Sequence, residues 1–81
     1  MELKDTITLM KSDNYKDRFR AEYYQTRIRY YKLEKMLNDY ENNNLDFNLT
    51  TPIKILYKQY YDMKNYLLDL EIRAELEKIK L

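Results

Sequence analysis

No glycine occurs anywhere in the 81 residues, and proline occurs once. Glycine reaches positive φ without steric cost, and tight hairpin turns depend on it. A chain without it is poorly suited to a meander of short strands and well suited to long helices. Two stretches read that way. The first has three good N-cap residues at its start, Ser12-Asp13-Asn14. It runs over residues 14–41 and stops in Asn42-Asn43-Asn44, where short polar side chains compete with the helical backbone. The second covers residues 52–80, with Thr51 as expected N-cap and Pro52 at the first helical position, where its missing N–H costs nothing. Each helix is expected to be roughly 40 Å long at 1.5 Å per residue.

Heptad spacing tells which face of each helix is apolar. Phe19, Tyr23, Thr26, Tyr30, Leu33, Leu37 and Tyr40 follow steps of four and three. Leu56, Tyr60, Met63, Leu67, Leu70 and Ala74 do the same on the second helix. Facing each other, the two seams make an antiparallel helical hairpin. Between them lies a connecting loop, 42–51, in which Leu45, Phe47 and Leu49 alternate with polar residues. That alternation predicts a short extended segment folded over the open end as a lid. Residues 1–11 are ambiguous: Leu3, Ile7 and Met10 have helical spacing, while Thr6-Ile7-Thr8-Leu9 alternates like a strand. A short helix is expected.

The ten tyrosines carry a second message. Seven sit in the doublets Tyr23-Tyr24, Tyr30-Tyr31 and Tyr60-Tyr61 or at Tyr57. Neighbours on a helix point about 100° apart, so each doublet sends a ring to a second face. Tyr24, Ile28 and Tyr31 lie off the first seam by about 120–180°, and Tyr57, Tyr61, Leu68, Ile72 and Ile79 off the second by about 140°. A two-helix hairpin cannot bury both stripes of both helices. Leaving a large apolar side chain wet forgoes about 1.5–3 kcal/mol, and a contiguous exposed patch normally marks an interface. Two outcomes are open: the N-terminal segment covers one stripe, or the chain self-associates. The expected fold class is all-α, a hairpin plus a short N-terminal segment assembling into a homo-oligomeric helical bundle. Ile28, Tyr57, Tyr61, Leu68, Ile72 and Ile79 are the expected interface. Lys58/Asp62, Asp69/Arg73 and Arg73/Glu77 are spaced i, i+4 as ion pairs on a solvated face.

Chemistry is sparse. Cysteine and histidine are absent and serine occurs only as Ser12, so a disulfide is impossible, a zinc site is not expected, and Cys/His nucleophile-base arrangements are excluded. A glycine-rich phosphate loop is impossible. Glu71 and Glu75 share a helix face, but such pairs in a charged helix are far more often solvated than catalytic. No enzyme activity, metal or cofactor is expected. No apolar run approaches the roughly 20 residues that span a membrane. Met1-Glu2-Leu3-Lys4-Asp5 lacks a signal-peptide pattern, so a cytoplasmic location is expected.

Net charge is +1 over the chain, yet residues 11–35 hold eight Lys/Arg against four Asp/Glu. Within that basic stretch, Arg20, Tyr24, Arg27 and Tyr31 recur at i, i+4, i+7 and i+11, and Lys16 extends the line. Guanidinium groups grip phosphate bidentately and tyrosine faces stack on bases. The stripe suits a nucleotide, single-stranded nucleic acid or an acidic partner. Equally, its tyrosines suit an interface core flanked by the arginines.

Two stretches resemble a family of short phage and prophage proteins of low-GC Gram-positive bacteria. The first is Ala21-Glu22-Tyr23-Tyr24-Gln25 through Arg29, Lys32-Leu33 and Met36-Leu37, then Leu45-Asp46-Phe47 and Pro52. The second is Gln59, Met63, Tyr66-Leu67, Leu70-Glu71, Arg73-Ala74 and Glu77 to Leu81. The resemblance implies a phage setting, hence the host cytoplasm. In that setting the expected function is a non-enzymatic binding protein that counters host antiviral defence. Its expected partners are itself and either a cyclic nucleotide immune signal or a host defence protein. A protein-protein adaptor is the competing class, and nucleic-acid binding stands third.

Overall fold

The computed structural model describes all residues, 1–81. The chain is all-helical, with extents of 43 × 24 × 17 Å. A 3-10 turn, Leu3–Thr6, leads directly into α1, Ile7–Met10. Then come the two long helices, α2 (Tyr15–Glu41) and α3 (Ile53–Leu76). The ambiguous N-terminal segment is thus helical, and it packs along α2.

Local chemistry sets the helix ends. The Asn14 side chain accepts the Lys16 N–H at 2.9 Å and caps α2. Ser12 Oγ accepts the Asn14 N–H and donates to Asp17, tightening the same entry. At the start of α3, Pro52 is itself the N-cap, one residue later than expected. Its ψ of 135° is extended, while its carbonyl accepts the first helical bonds from Ile55 and Leu56. Both long helices end in Schellman motifs without glycine. Asn43 (φ 57°) and Lys78 (φ 58°) take the left-handed position. The N–H of Asn44 returns to Asp39 O, and that of Ile79 to Ala74 O, each at 2.8 Å.

The second of these turns corrects the sequence expectation for Ile79. Extending α3 to residue 80 placed Ile79 on the outer stripe. The helix instead stops at Leu76, and the turn at Lys78 swings Ile79 inward beside Ala74, where it is 5 % exposed. Ile79 therefore belongs to the hairpin core and not to an interface.

The predicted seams form that core. Phe19, Tyr23, Leu67, Leu70, Ala74 and Ile79 make one cluster, with Tyr24 and Tyr30 packed against it. Leu33 and Leu37 are also buried nearer the loop. Packing loosens there: Tyr40, the last residue of the α2 seam, is exposed. Residues 42–52 form no strand. Leu45 and Leu49 are half-buried and Phe47 is exposed, and the loop with Tyr40 and Ile53 borders an open depression of about 470 Å3.

Candidate functional site

Along the hairpin, tyrosines of one helix meet glutamates of the other. Tyr15 donates to Glu77, just past α3, and Tyr23 to Glu71, each at 2.8 Å. From α3, Tyr60 donates to Glu34 at 2.8 Å, Tyr66 to Glu22 and Tyr57 to Glu41. Tyr30 adds to the relay by donating to the Tyr60 hydroxyl at 3.0 Å, with the two rings stacked 4.9 Å apart. A phenol in an apolar seam needs a partner for its O–H, and each glutamate supplies one. Burial first, then the bond to Glu71, pushes the Tyr23 phenol up to about 12. The bond to Glu41, and secondarily desolvation, takes Tyr57 to about 12. Tyr60 is raised by its bonds to Tyr30 and Glu34, and Tyr66 by its bond to Glu22. These phenols are neutral donors near pH 7, suited to holding helices together and not to nucleophilic chemistry.

The basic stripe on α2 divides into two halves. Its N-terminal half grips the end of the chain. Lys16 Nζ donates to Lys78 O at 3.4 Å, and Arg20 Nε donates to Lys80 O at 2.7 Å. Arg20 also pairs with Asp17 at 3.1 Å. Both carbonyls lie past the last residue of α3, in the tail that follows it. Lys16 and Arg20 therefore hold down the segment that carries Ile79 into the core.

The C-terminal half of the stripe is open. Arg27 is exposed and makes no hydrogen bond or ion pair; its guanidinium lies 5.6 Å from the centre of the Tyr31 ring. Tyr24, Arg27, Ile28 and Tyr31 border a depression of about 370 Å3 together with Met1. On its other side Arg27 overlooks a smaller groove of about 150 Å3 between the long helices, where Lys64, Leu68 and Glu71 join Tyr30 and Tyr31. Tyr31 is held edge-on against Tyr30, centroids 5.3 Å apart, and Tyr24 against Tyr23 at 5.5 Å. Half-buried Tyr24 thus rests on buried Tyr23, and exposed Tyr31 on half-buried Tyr30, so each inner ring braces the outer one. Lys64 is the cation that sequence periodicity missed. It belongs to the other helix, so only the hairpin brings it near Arg27.

The expected interface residues are also placed. Tyr61, Leu68 and Ile72 are 56 %, 49 % and 58 % exposed, and nothing in the chain covers them. Ile28 is half-buried beside the N-terminal segment, and Tyr57 is half-buried with its hydroxyl on Glu41. No three Asp or Glu side chains are grouped as a metal site. No helix is long and apolar enough to cross a membrane.

Neither curated proteins nor solved structures give a significant match to the chain. The comparison with family models does: residues 13–76 match the model described as Sequestin. That span runs from just before the α2 N-cap to the last residue of α3, taking in both long helices and the stripe on α2. With most of its length matched, the chain belongs to the Sequestin family.

Proposed function

We propose that the protein is a non-enzymatic, phage-type binder that counters host antiviral defence by sequestering a nucleotide immune signal as a homo-oligomer. The observation that carries this is Arg27: an unpaired guanidinium between the tyrosines at 24 and 31, with open depressions on both sides. Guanidinium supplies the bidentate phosphate grip, and the exposed Tyr31 ring beside half-buried Tyr24 supplies stacking for a base. The family name, which speaks of sequestration, agrees with binding in place of turnover. Arg27, Tyr24 and Tyr31 form the centre of the site. Lys64 adds a second charge, and Lys16 and Arg20 act from behind by anchoring the C-terminal segment.

Calorimetry or thermal shift with a panel of cyclic nucleotides tests the proposal. Retention by the native chain and its loss in Arg27→Glu, with helicity unchanged, is the expected result. No retention of any nucleotide would end this version. The bare stripe at Tyr61, Leu68 and Ile72 favours a second reading, an adaptor docking a host defence protein. In that case Ile72→Asp should abolish partner capture while Arg27→Glu leaves it intact.

A further inference from the structure

The outer stripe of α3 is longer than the exposed residues named so far. Tyr57, Tyr61, Asn65, Leu68, Ile72 and Leu76 follow one another at steps of four, four, three, four and four. Leu76 is 77 % exposed, the most exposed large apolar side chain of the protein. The series of steps reads the same in both directions. Turning a second copy of α3 end for end therefore sets Tyr57 opposite Leu76, Tyr61 opposite Ile72 and Asn65 opposite Leu68, with no position left over.

We infer that α3 pairs with α3 of a second copy, antiparallel about a two-fold axis near residues 66–67, through this stripe. The inference rests on the homo-oligomer proposed above and names its surface and geometry. A two-fold interface must be complementary to itself, and the palindromic spacing meets that condition along about 28 Å of helix. Antiparallel pairing is favoured over parallel by side-chain size. The N-terminal half of the stripe is aromatic and the C-terminal half aliphatic. End-for-end pairing sets each ring against a branched chain and keeps the helix separation even, where parallel pairing would crowd one end and gap the other.

Charge agrees. Lys64 and Glu71 lie on the same flank of the stripe, so the two-fold brings Lys64 beside the partner's Glu71 on that side. Asn65, alone polar in an apolar seam, sits next to the axis, where an amide can fix register. Area agrees as well. A compact chain of this mass exposes about 5,300 Å2 by the usual scaling, whereas this one exposes 6243 Å2. The surplus is close to the ~800 Å2 that each partner contributes to a standard interface.

The outer stripe lies about 150° around α3 from its seam with α2. The dimer is therefore a flat layer ordered α2, α3, α3, α2. The two-fold stands perpendicular to that layer, so both grooves between Arg27 and Lys64 open on the same side. One dimer presents two such grooves, each with its own Arg27, to one face of solution.

Because the chain has no cysteine, introduced thiols report the pairing directly. Tyr61→Cys and Ile72→Cys chains of different tag length, mixed and mildly oxidised, are expected to cross-link to each other and not to themselves. Disulfides between two Ile72→Cys chains would overturn the antiparallel register. Light scattering on the native chain should give twice the chain mass, and Ile72→Asp should weaken dimerisation by about 30-fold or more. An assembly unmoved by Ile72→Asp and by Leu76→Asp would overturn this surface but leave the homo-oligomer standing. A monomer at every concentration would end both. All three positions are exposed, so circular dichroism is expected to show native helicity in all these variants.

Discussion

Each long helix carries a second face, and the two faces meet different fates. On α2, the N-terminal segment lies alongside: Thr6 is fully buried, its hydroxyl donates to Leu3 O at 2.7 Å and accepts from Gln25 at 2.9 Å. Ala21 is buried, and Tyr24 and Ile28 are half-buried. On α3, Tyr61, Leu68, Ile72 and Leu76 have no cover from their own chain. A ten-residue flap can shield one face of a hairpin but not two. The second face of α2 is partly covered by local chain, and that of α3 is left bare.

The contrast can be broken most strongly within α3 itself, by comparing its inner and outer faces. Leu70 is wholly buried, and Leu70→Ala should cost about 2–5 kcal/mol in chemical denaturation. Ile72→Ala, on the outer face, should change monomer stability by no more than about 0.5 kcal/mol. Equal losses would mean that the outer face is packed in the monomer. Next in size is the flap. Thr6→Val keeps the shape but strips the hydroxyl from Leu3 O and Gln25, which should cost about 1–2 kcal/mol. It should also raise hydrogen exchange in residues 3–10 ahead of α3. Unchanged protection there would mean that the flap is held by its apolar contacts alone.

The tyrosine rungs give a pH-dependent version of the same comparison. Tyr23 and Tyr57 have folded values near 12, above the ordinary phenol value of 10. The fold therefore holds protons that the unfolded chain releases first. Their contribution is complete below pH 10 and falls away as pH rises toward 12. Stability measured across that window should decline, and Tyr23→Phe should shallow the decline while lowering stability near pH 7 by about 1 kcal/mol. A slope unchanged by Tyr23→Phe would remove that rung from the account. The smallest effect belongs to Lys78. Its left-handed backbone suits glycine better, so Lys78→Gly should stabilise by up to about 1 kcal/mol. A loss of stability there would show that the lysine side chain matters to the turn.

Much of the hairpin is legible in the heptads. Phe19, Tyr23, Leu33, Leu37, Leu67, Leu70 and Ala74 are placed by steps of three and four, and each is buried. Ile79 is not legible. A helical wheel assumes that the helix continues, and without a glycine nothing marks the turn at Lys78. The stripe on α2 is half legible for a related reason. Periodicity puts Lys16, Arg20, Tyr24, Arg27 and Tyr31 on one line, but it has no knowledge of the carbonyls of Lys78 and Lys80. Those arrive from the other end of the chain and engage the first two cations.

What the sequence by itself determined is local and periodic: two long helices, their facing seams, and a surplus of tyrosine beyond what one seam holds. Backbone propensity and spacing act within a turn or two, so they can be read in order along the chain. The tertiary structure alone decided which glutamate answers each phenol, which cations are engaged by the C-terminal carbonyls and which second face stays bare. Those choices join residues 16 to 62 positions apart, and only the folded chain brings such pairs within reach.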